Sequence, residues 1–301
     1  MFEIAAIRMQ KRTQKENLAQ YETRLSRVME FINHNLDEDL CLEELSQVAT
    51  LSKYHFHRVF HAYIGTSLAN YIQLMRLKRA SFQLAFKQQK TIIDIALEAG
   101  FNHPETFVRA FKRHFQQTPS EFRKSPQWLQ WHSLYQFSNQ PNRKQPMNVR
   151  CINFPETHVA LLSHIGPAET VMDTASKFIA WRKTTGLSPI ATSKTFGIPH
   201  SDPKTTEPSE FRWDVCGSIN QHVPPNHYGV INSVIPGGRC ALLQHKGSHD
   251  TIEKSIYYIY EQWIRENNEE LRDFPCFFHY LNFIHDVDEC DLLTDIYVPL
   301  K

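Results

Sequence analysis

Two stretches of the chain carry basic, aromatic and hydroxyl side chains at spacings that place them on one face of a helix. The first holds Lys53, Tyr54, His57, Arg58 and His61; the second holds Glu105, Thr106, Arg109, Lys112 and Arg113. Such sets are suited to contact with a nucleic-acid duplex. Arg forks onto guanine, His, Thr and Tyr meet base edges or backbone, and Lys neutralises phosphate. Glu105 is the exception: phosphate repels a carboxylate, so it must accept from a cytosine amino group or stay clear. His57 and His61 also have the four-residue spacing of metal ligands, while His55 points elsewhere. No Glu follows His57 as in a zinc-protease helix and no third ligand is evident, so no metal is expected. No arrangement of nucleophile, base and orienting group is visible, and there is no G-x-S-x-G elbow. Neither enzymatic activity nor a cofactor is expected.

These side chains need helices with sealed inner faces, and an internal repeat supplies them. Leu42–Ser52 followed by Lys53–Phe60 is one copy; Ile92–Asn102 followed by His103–Phe111 is the other. Leu45 and Ala49 align with Ile95 and Ala99. After one extra turn residue, Phe56, Arg58, Val59 and Phe60 align with Phe107, Arg109, Ala110 and Phe111. Each copy reads as a short helix, a tight turn and a second helix, which is a helix-turn-helix. Ser52 is the expected N-cap of the first outer helix. Asn102 or His103 caps the second, with Pro104 at the first helical position, where its missing N–H costs nothing. Phe56/Val59/Phe60 and Phe107/Ala110/Phe111 are the expected inward stripes. An earlier helix, from Leu18 to about Asn35, has the stripe Tyr21, Leu25, Val28 and Ile32.

Charge is distributed to match. The chain has a formal net charge of only +1, yet residues 51–124 hold 12 Lys/Arg against 4 Asp/Glu. A local excess of that size releases counterions from phosphate, the main source of affinity for DNA. The expected organisation is a flexible segment over 1–16, an all-α unit with two helix-turn-helix motifs over 17–124, a linker over 125–146 and a second unit over 147–301. The linker reading rests on Ser125-Pro126 and the polar, proline-bearing run 138–146, with Trp128 and Trp131 docking its start onto a neighbouring surface. Six scattered cysteines without a CxxC pair read as free thiols in a reducing compartment. No apolar run approaches a membrane span and the N-terminus lacks the order of a secretory signal. The expected location is the cytoplasm, with no membrane partner.

Residues 147–301 change texture to short β-branched and aromatic runs bounded by Pro, Gly and Asn, mixed with two helical segments. That is an α+β domain, and it too repeats. Val159–Leu162 leads to His164-Ile165-Gly166-Pro167 and a helix reaching Trp181. Cys240–Leu243 leads to His245-Lys246-Gly247-Ser248 and a helix reaching Trp263. Each half continues into a further strand, Phe211–Cys216 and Thr294–Pro299. Two pseudo-symmetric βα halves would make a sheet with two helices on one side. The cleft where they meet is the natural small-molecule site.

The helical half resembles the DNA-binding domain of the AraC/XylS family over residues 36–124. The resemblance rests on the linking helix Tyr71–Ala80, the run Ile95-Ala96-Leu97-Glu98-Ala99-Gly100-Phe101 and the closing Thr118-Pro119-Ser120-Glu121-Phe122-Arg123. It implies a unit whose two recognition helices enter successive major grooves on one face of double-stranded DNA, with RNA polymerase as a partner. Carried over by position, Tyr54, His57 and Arg58 read one groove and Glu105, Thr106 and Arg109 the other. Gln116 stands where the family usually has glycine, implying a less sharply turned helix end. Pro104 and Glu105 replace amides common in some members. Residues 147–301 resemble the GyrI-like effector-binding domain, through the two His-x-Gly joints, Arg212–Cys216, Pro236–Arg239, Tyr280-Leu281-Asn282 and Asp295–Leu300. This implies an aromatic cleft for amphipathic, often cationic compounds, with Trp213, Phe278, Tyr280 and Tyr297 as its walls. The family's central glutamate position is occupied here by Phe278. The cleft is therefore expected to prefer neutral aromatic ligands, to be filled by its own side chains, or to dock a protein. A ligand-sequestering protein of the GyrI-like type is the alternative to a regulator; a hydrolase is a more distant one.

Overall fold

The computed structural model describes residues 20–135, 137 and 147–301. The expected segment 1–16, the helix start at Leu18 and the polar run 138–146 lie outside the described residues. The chain divides into two compact units, residues 1–145 and 146–301.

Among the described residues the regular elements of the first unit are all helices: α1 (residues 20–34), α2 (Leu42–Val48), α3 (Lys53–Ile64), α4 (Leu68–Phe86), α5 (Ile92–Glu98), α6 (Pro104–Phe115), α7 (Pro119–Lys124) and α8 (Trp128–Ser133). Leu25, Val28 and Ile32 of α1 are fully buried as the period requires, but Tyr21, expected in the same stripe, is exposed. It lies near the start of the described helix, beyond the reach of the core. Local chemistry sets the helix starts. Ser52, Ser67, Thr91 and Thr118 each accept a hydrogen bond from the backbone N–H three residues on. Thr118 and Glu121 form a reciprocal capping box, each such cap stabilising its helix by about 1 kcal/mol.

The helical unit continues past residue 124, correcting the expected linker boundary. Trp128 and Trp131 are buried against Phe82, Phe86 and Phe122, with the Trp131 Nε1–H donating to Ser81 Oγ at 2.7 Å. Tyr135 is buried too, and its hydroxyl donates to the Leu74 carbonyl at 3.2 Å. Three aromatic side chains bring more apolar area than a linker can leave in water, so the segment folds back along α4.

The second unit holds one antiparallel sheet in the order β1-β6-β8-β7-β3-β4-β2-β5. Its strands are β1 (Val149–Phe154), β2 (Thr157–Ile165), β3 (Thr195–Pro199), β4 (Arg212–Ser218), β5 (Ile231–Ile235), β6 (Gly238–Lys246), β7 (Phe277–Tyr280) and β8 (Leu293–Pro299). The two expected halves are β1–β4 and β5–β8, joined where β3 pairs with β7. Each half lends its first strand to the other, since β1 pairs with β6 and β5 with β2. Strands β2 and β6 have the same burial pattern residue for residue. In the first half α9 (Val171–Thr185) crosses the sheet. In the second the crossing is made by α10 (Ile252–Tyr257), a π segment (Tyr258–Trp263) and α11 (Ile264–Glu266). The path from His245 to Trp263 is one residue longer than that from His164 to Trp181, and the π turn absorbs it.

Both helical crossings cover the same sheet face. The other face closes on itself around Phe154, Leu161, Phe196, Leu242, Phe277 and Tyr297. Phe154 on β1 and Phe196 on β3 are four strands apart, roughly 19 Å on a flat sheet, yet their ring centroids lie 6.2 Å apart. The sheet is therefore strongly curled, and the apolar face that no helix covers is buried by curvature.

Candidate functional site

The first site is built on α3 and α6. Phe56, Phe60 and Ile64 seal the inner face of α3; Phe107, Ala110, Phe111 and Phe115 seal that of α6. Val59, expected in the inward stripe, is only half-buried. The opposite faces carry Lys53, Tyr54, His57 and Arg58 on α3, and Glu105, Thr106, Arg109, Lys112 and Arg113 on α6, all exposed. The cap of α3 is Ser52 as expected, and that of α6 is His103, which makes no side-chain cap bond, with Pro104 following.

Several of these side chains are already held. The Arg58 guanidinium lies 4.4 Å from the centroid of the Tyr54 ring, so a ring and a cation are presented together one helical turn apart. Lys53 is ion-paired with Glu43 of α2, whose carboxyl is held below its usual range by that hydrogen bond. Arg113 Nη2 donates to Gln73 Oε1 at 2.8 Å, and His114 Nε2 lies 3.3 Å from the same oxygen. Gln73 thus ties α6 to the linking helix α4, a role that no local pattern revealed. Arg109 and Lys112 complete the cationic surface of α6.

Gln116 corrects an expectation. It closes α6 in the left-handed region at φ 55°, as Gly65 closes α3 at φ 85°. The helix end is turned just as sharply without glycine. The Gln116 side chain donates to the Arg113 carbonyl at 3.0 Å, offsetting part of the roughly 1–2 kcal/mol that an L-residue gives up in this conformation.

In the second unit, three of the four expected cleft residues come together. Trp213, Phe278 and Tyr280 lie on the helix-covered face, with the Trp213 and Phe278 rings 5.6 Å apart. Their meeting point is Gly197. A Cβ there would lie 2.6 Å from the Tyr280 hydroxyl and 2.8 Å from the Trp213 ring. Tyr297 does not join them. It stacks at 4.8 Å on Phe277 in the core of the opposite face, because β8 pairs Tyr297 with Phe277 and Ile296 with Phe278. Strand alternation then separates the two tyrosines, a parity that depends on a register between distant segments. Phe278 is 2% exposed, so where the cleft was expected it is filled by the protein's own rings.

His249 was missed from sequence. Its ring packs 5.3 Å from Tyr280, and its Nε2 lies 2.9 Å from Thr294 Oγ1. The two His-x-Gly joints resolve into matched latches. His164 meets Thr174 Oγ1 and the Pro167 carbonyl at 2.9 and 3.1 Å; His245 meets Ser255 Oγ and the Ser248 carbonyl at 2.8 and 3.1 Å. Burial holds His245 and His279 below the ordinary imidazole value of 6.5. The unfolded chain therefore binds protons that the folded unit refuses. Stability is complete above pH 6.5 and falls as pH drops below it. Denaturation midpoints at pH 7.5 and 5.5 check this; equal midpoints, or an unchanged difference in His245→Gln, would contradict it.

Two helices with sealed inner faces on helix-turn-helix scaffolds, joined to a two-helix curled-sheet unit, define a DNA-binding regulator with a small-molecule binding domain. Comparison with known proteins agrees. Residues 45–125 match a helix-turn-helix domain, and residues 147–301 match the GyrI-like small molecule binding domain. The chain belongs to the GyrI-like family, and its helical unit is of the AraC type. It is 44% identical over 154 residues to the probable transcriptional regulator YgiV of Escherichia coli K12, covering 51% of this chain and 96% of that protein. It is 37% identical over 98 residues to the right origin-binding protein of the same organism, covering 33% of this chain and 34% of that one. The crystal structure of the EcmrR C-terminal domain aligns with 52% of this chain and 99% of its own, at 20% identity and a TM-score of 0.45. Among the described residues no helix is long and apolar enough to cross a membrane.

Proposed function

We propose that the protein is a sequence-specific transcriptional regulator that sets α3 and α6 into successive major grooves of promoter DNA. In this reading RNA polymerase is its partner there. One observation carries it: two helices with sealed apolar faces present Tyr54, His57 and Arg58, and Thr106, Arg109 and Lys112, outward. The α+β unit then tunes this binding by sensing a small neutral aromatic or amphipathic molecule, which must displace the Phe278 ring from the space it fills. The support is chemical, since rings occupy the position where a counter-charge for cations would stand, and a ring face attracts a cation by only about 1–2 kcal/mol.

The test is alanine substitution on a cognate duplex selected from random DNA. Arg58→Ala and Arg109→Ala are each expected to cost about 1–3 kcal/mol and to relax base preference at one position. Uniform weakening across all sequences would reduce both to phosphate contacts. Micromolar or weaker affinity at low salt for every selected fragment would remove the regulator reading itself.

A further inference from the structure

We propose that Arg76 is the positioning residue that sets the spacing between the two recognition helices, and hence the distance between the half-sites the protein accepts. The inference rests on the two-groove reading above and deepens it.

Three segments meet at this side chain. Arg76 stands in the middle of α4, the helix that links the two helix-turn-helix motifs. Its Nε donates to the Leu36 carbonyl and its Nη2 to the Glu38 carbonyl, both at 2.7 Å, in the chain leading into the first motif. Gly100, in the turn of the second motif, lies against the same group. A Cβ on it would fall 2.3 Å from the Leu36 oxygen and 2.8 Å from Arg76 Nε. One guanidinium therefore touches the lead-in of the first motif, the linking helix and the turn of the second.

Apolar packing is interrupted beside this side chain. A cleft of about 320 Å³ runs beside the junction, lined by Asp39, Leu40, Cys41, Ile72, Gln73 and Phe101. Along the rest of α4 buried apolar side chains resist rotation of one motif against the other; at the cleft, directional bonds take that part. The planar guanidinium makes both bonds in one plane and so fixes an orientation as well as a distance, which an ammonium group cannot do. Precision matters here because one base pair more between half-sites rotates the second groove by roughly 34° and moves it by roughly 3.4 Å.

The test uses the full-length protein and duplexes carrying both selected half-sites at the selected spacing, at one base pair more and one fewer, and with one half-site scrambled. Wild type should lose about tenfold in affinity for either change of spacing. Arg76→Lys and Arg76→Gln should bind the scrambled duplex within about twofold of wild type. On the selected duplex they should bind about tenfold more weakly than wild type, and their spacing penalty should shrink below about threefold. Should the Gln variant be unfolded in a thermal melt, the Lys variant decides the matter. Sharp spacing retained by a folded variant overturns the proposal, as does an equal loss on scrambled and intact duplexes. If wild type gains nothing from the second half-site, the two-groove reading fails instead.

Discussion

Gly100→Ala should lower the stability of the helical unit by about 3 kcal/mol or more and its Tm by more than about 12 °C. Two costs add. The backbone at Gly100 has φ +74°, a conformation that costs an L-residue about 1–2 kcal/mol. The new Cβ would also fall 2.3 Å from the Leu36 carbonyl oxygen. That atom belongs to the backbone and is held by Arg76, so it cannot step aside as a side-chain tip would. Such overpacking adds about 1–3 kcal/mol. Thr50 is the natural control. It occupies the matching turn of the first motif at φ 51°, but is exposed, with its carbonyl accepting from Arg24 Nη1 at 3.1 Å. Thr50→Ala is expected to be nearly neutral. Thermal melts of the two variants measure the contrast, and a loss below about 1 kcal/mol for Gly100→Ala would show that the Leu36 segment yields.

Phe278→Glu carries the second large effect, with opposite signs for stability and for ligand response. Phe278 is packed among Ala241, Leu243, Ile296 and Val298 and against Trp213. Replacing the ring by a carboxylate loses its apolar contacts and buries a charge among aliphatic groups, a cost of about 3–5 kcal/mol. Glutamate is smaller than phenylalanine, so space opens beside Trp213 and Tyr280. A lipophilic cation such as tetraphenylphosphonium should occupy that space. It should raise the melting temperature of the variant and bind it at least about tenfold more tightly than wild type, a gain of about 1.4 kcal/mol. Calorimetric titration of both proteins decides. An equal response in the two, or none in the variant, would place the cleft elsewhere in the domain.

The parts that were legible early are those that depend on neighbours in the chain. The caps Ser52 and Thr118, the Phe56/Phe60 and Phe107/Phe111 stripes and the outward cations all follow from periods of three and four residues. The repeated His-x-Gly joints announced two matching halves, which the sheet order reproduces. Misreadings arose where a residue's fate was settled at a distance. Trp128 and Trp131 dock as their spacing suggests, but Ser125-Pro126 and the polar run place them in a linker, and nothing local names α4 as the surface that buries them. Gln116 is a different case: it looked unsuited to a sharp helix end, yet it closes α6 at a left-handed backbone angle with its side chain donating to the Arg113 carbonyl.

Sequence alone therefore determined the two helix-turn-helix motifs, the faces they present and the α+β character of the second unit. Each is a matter of local period, capping and charge, and local free energies of about 1 kcal/mol per cap or stripe position accumulate without reference to the rest of the chain. Tertiary structure decided the separation of Tyr297 from Tyr280, the plugging of the cleft by Phe278 and the junction of Arg76 with Leu36, Glu38 and Gly100. All three depend on register or approach between segments far apart in sequence. One residue of strand register reverses which face a side chain occupies, and no period within a single strand records it.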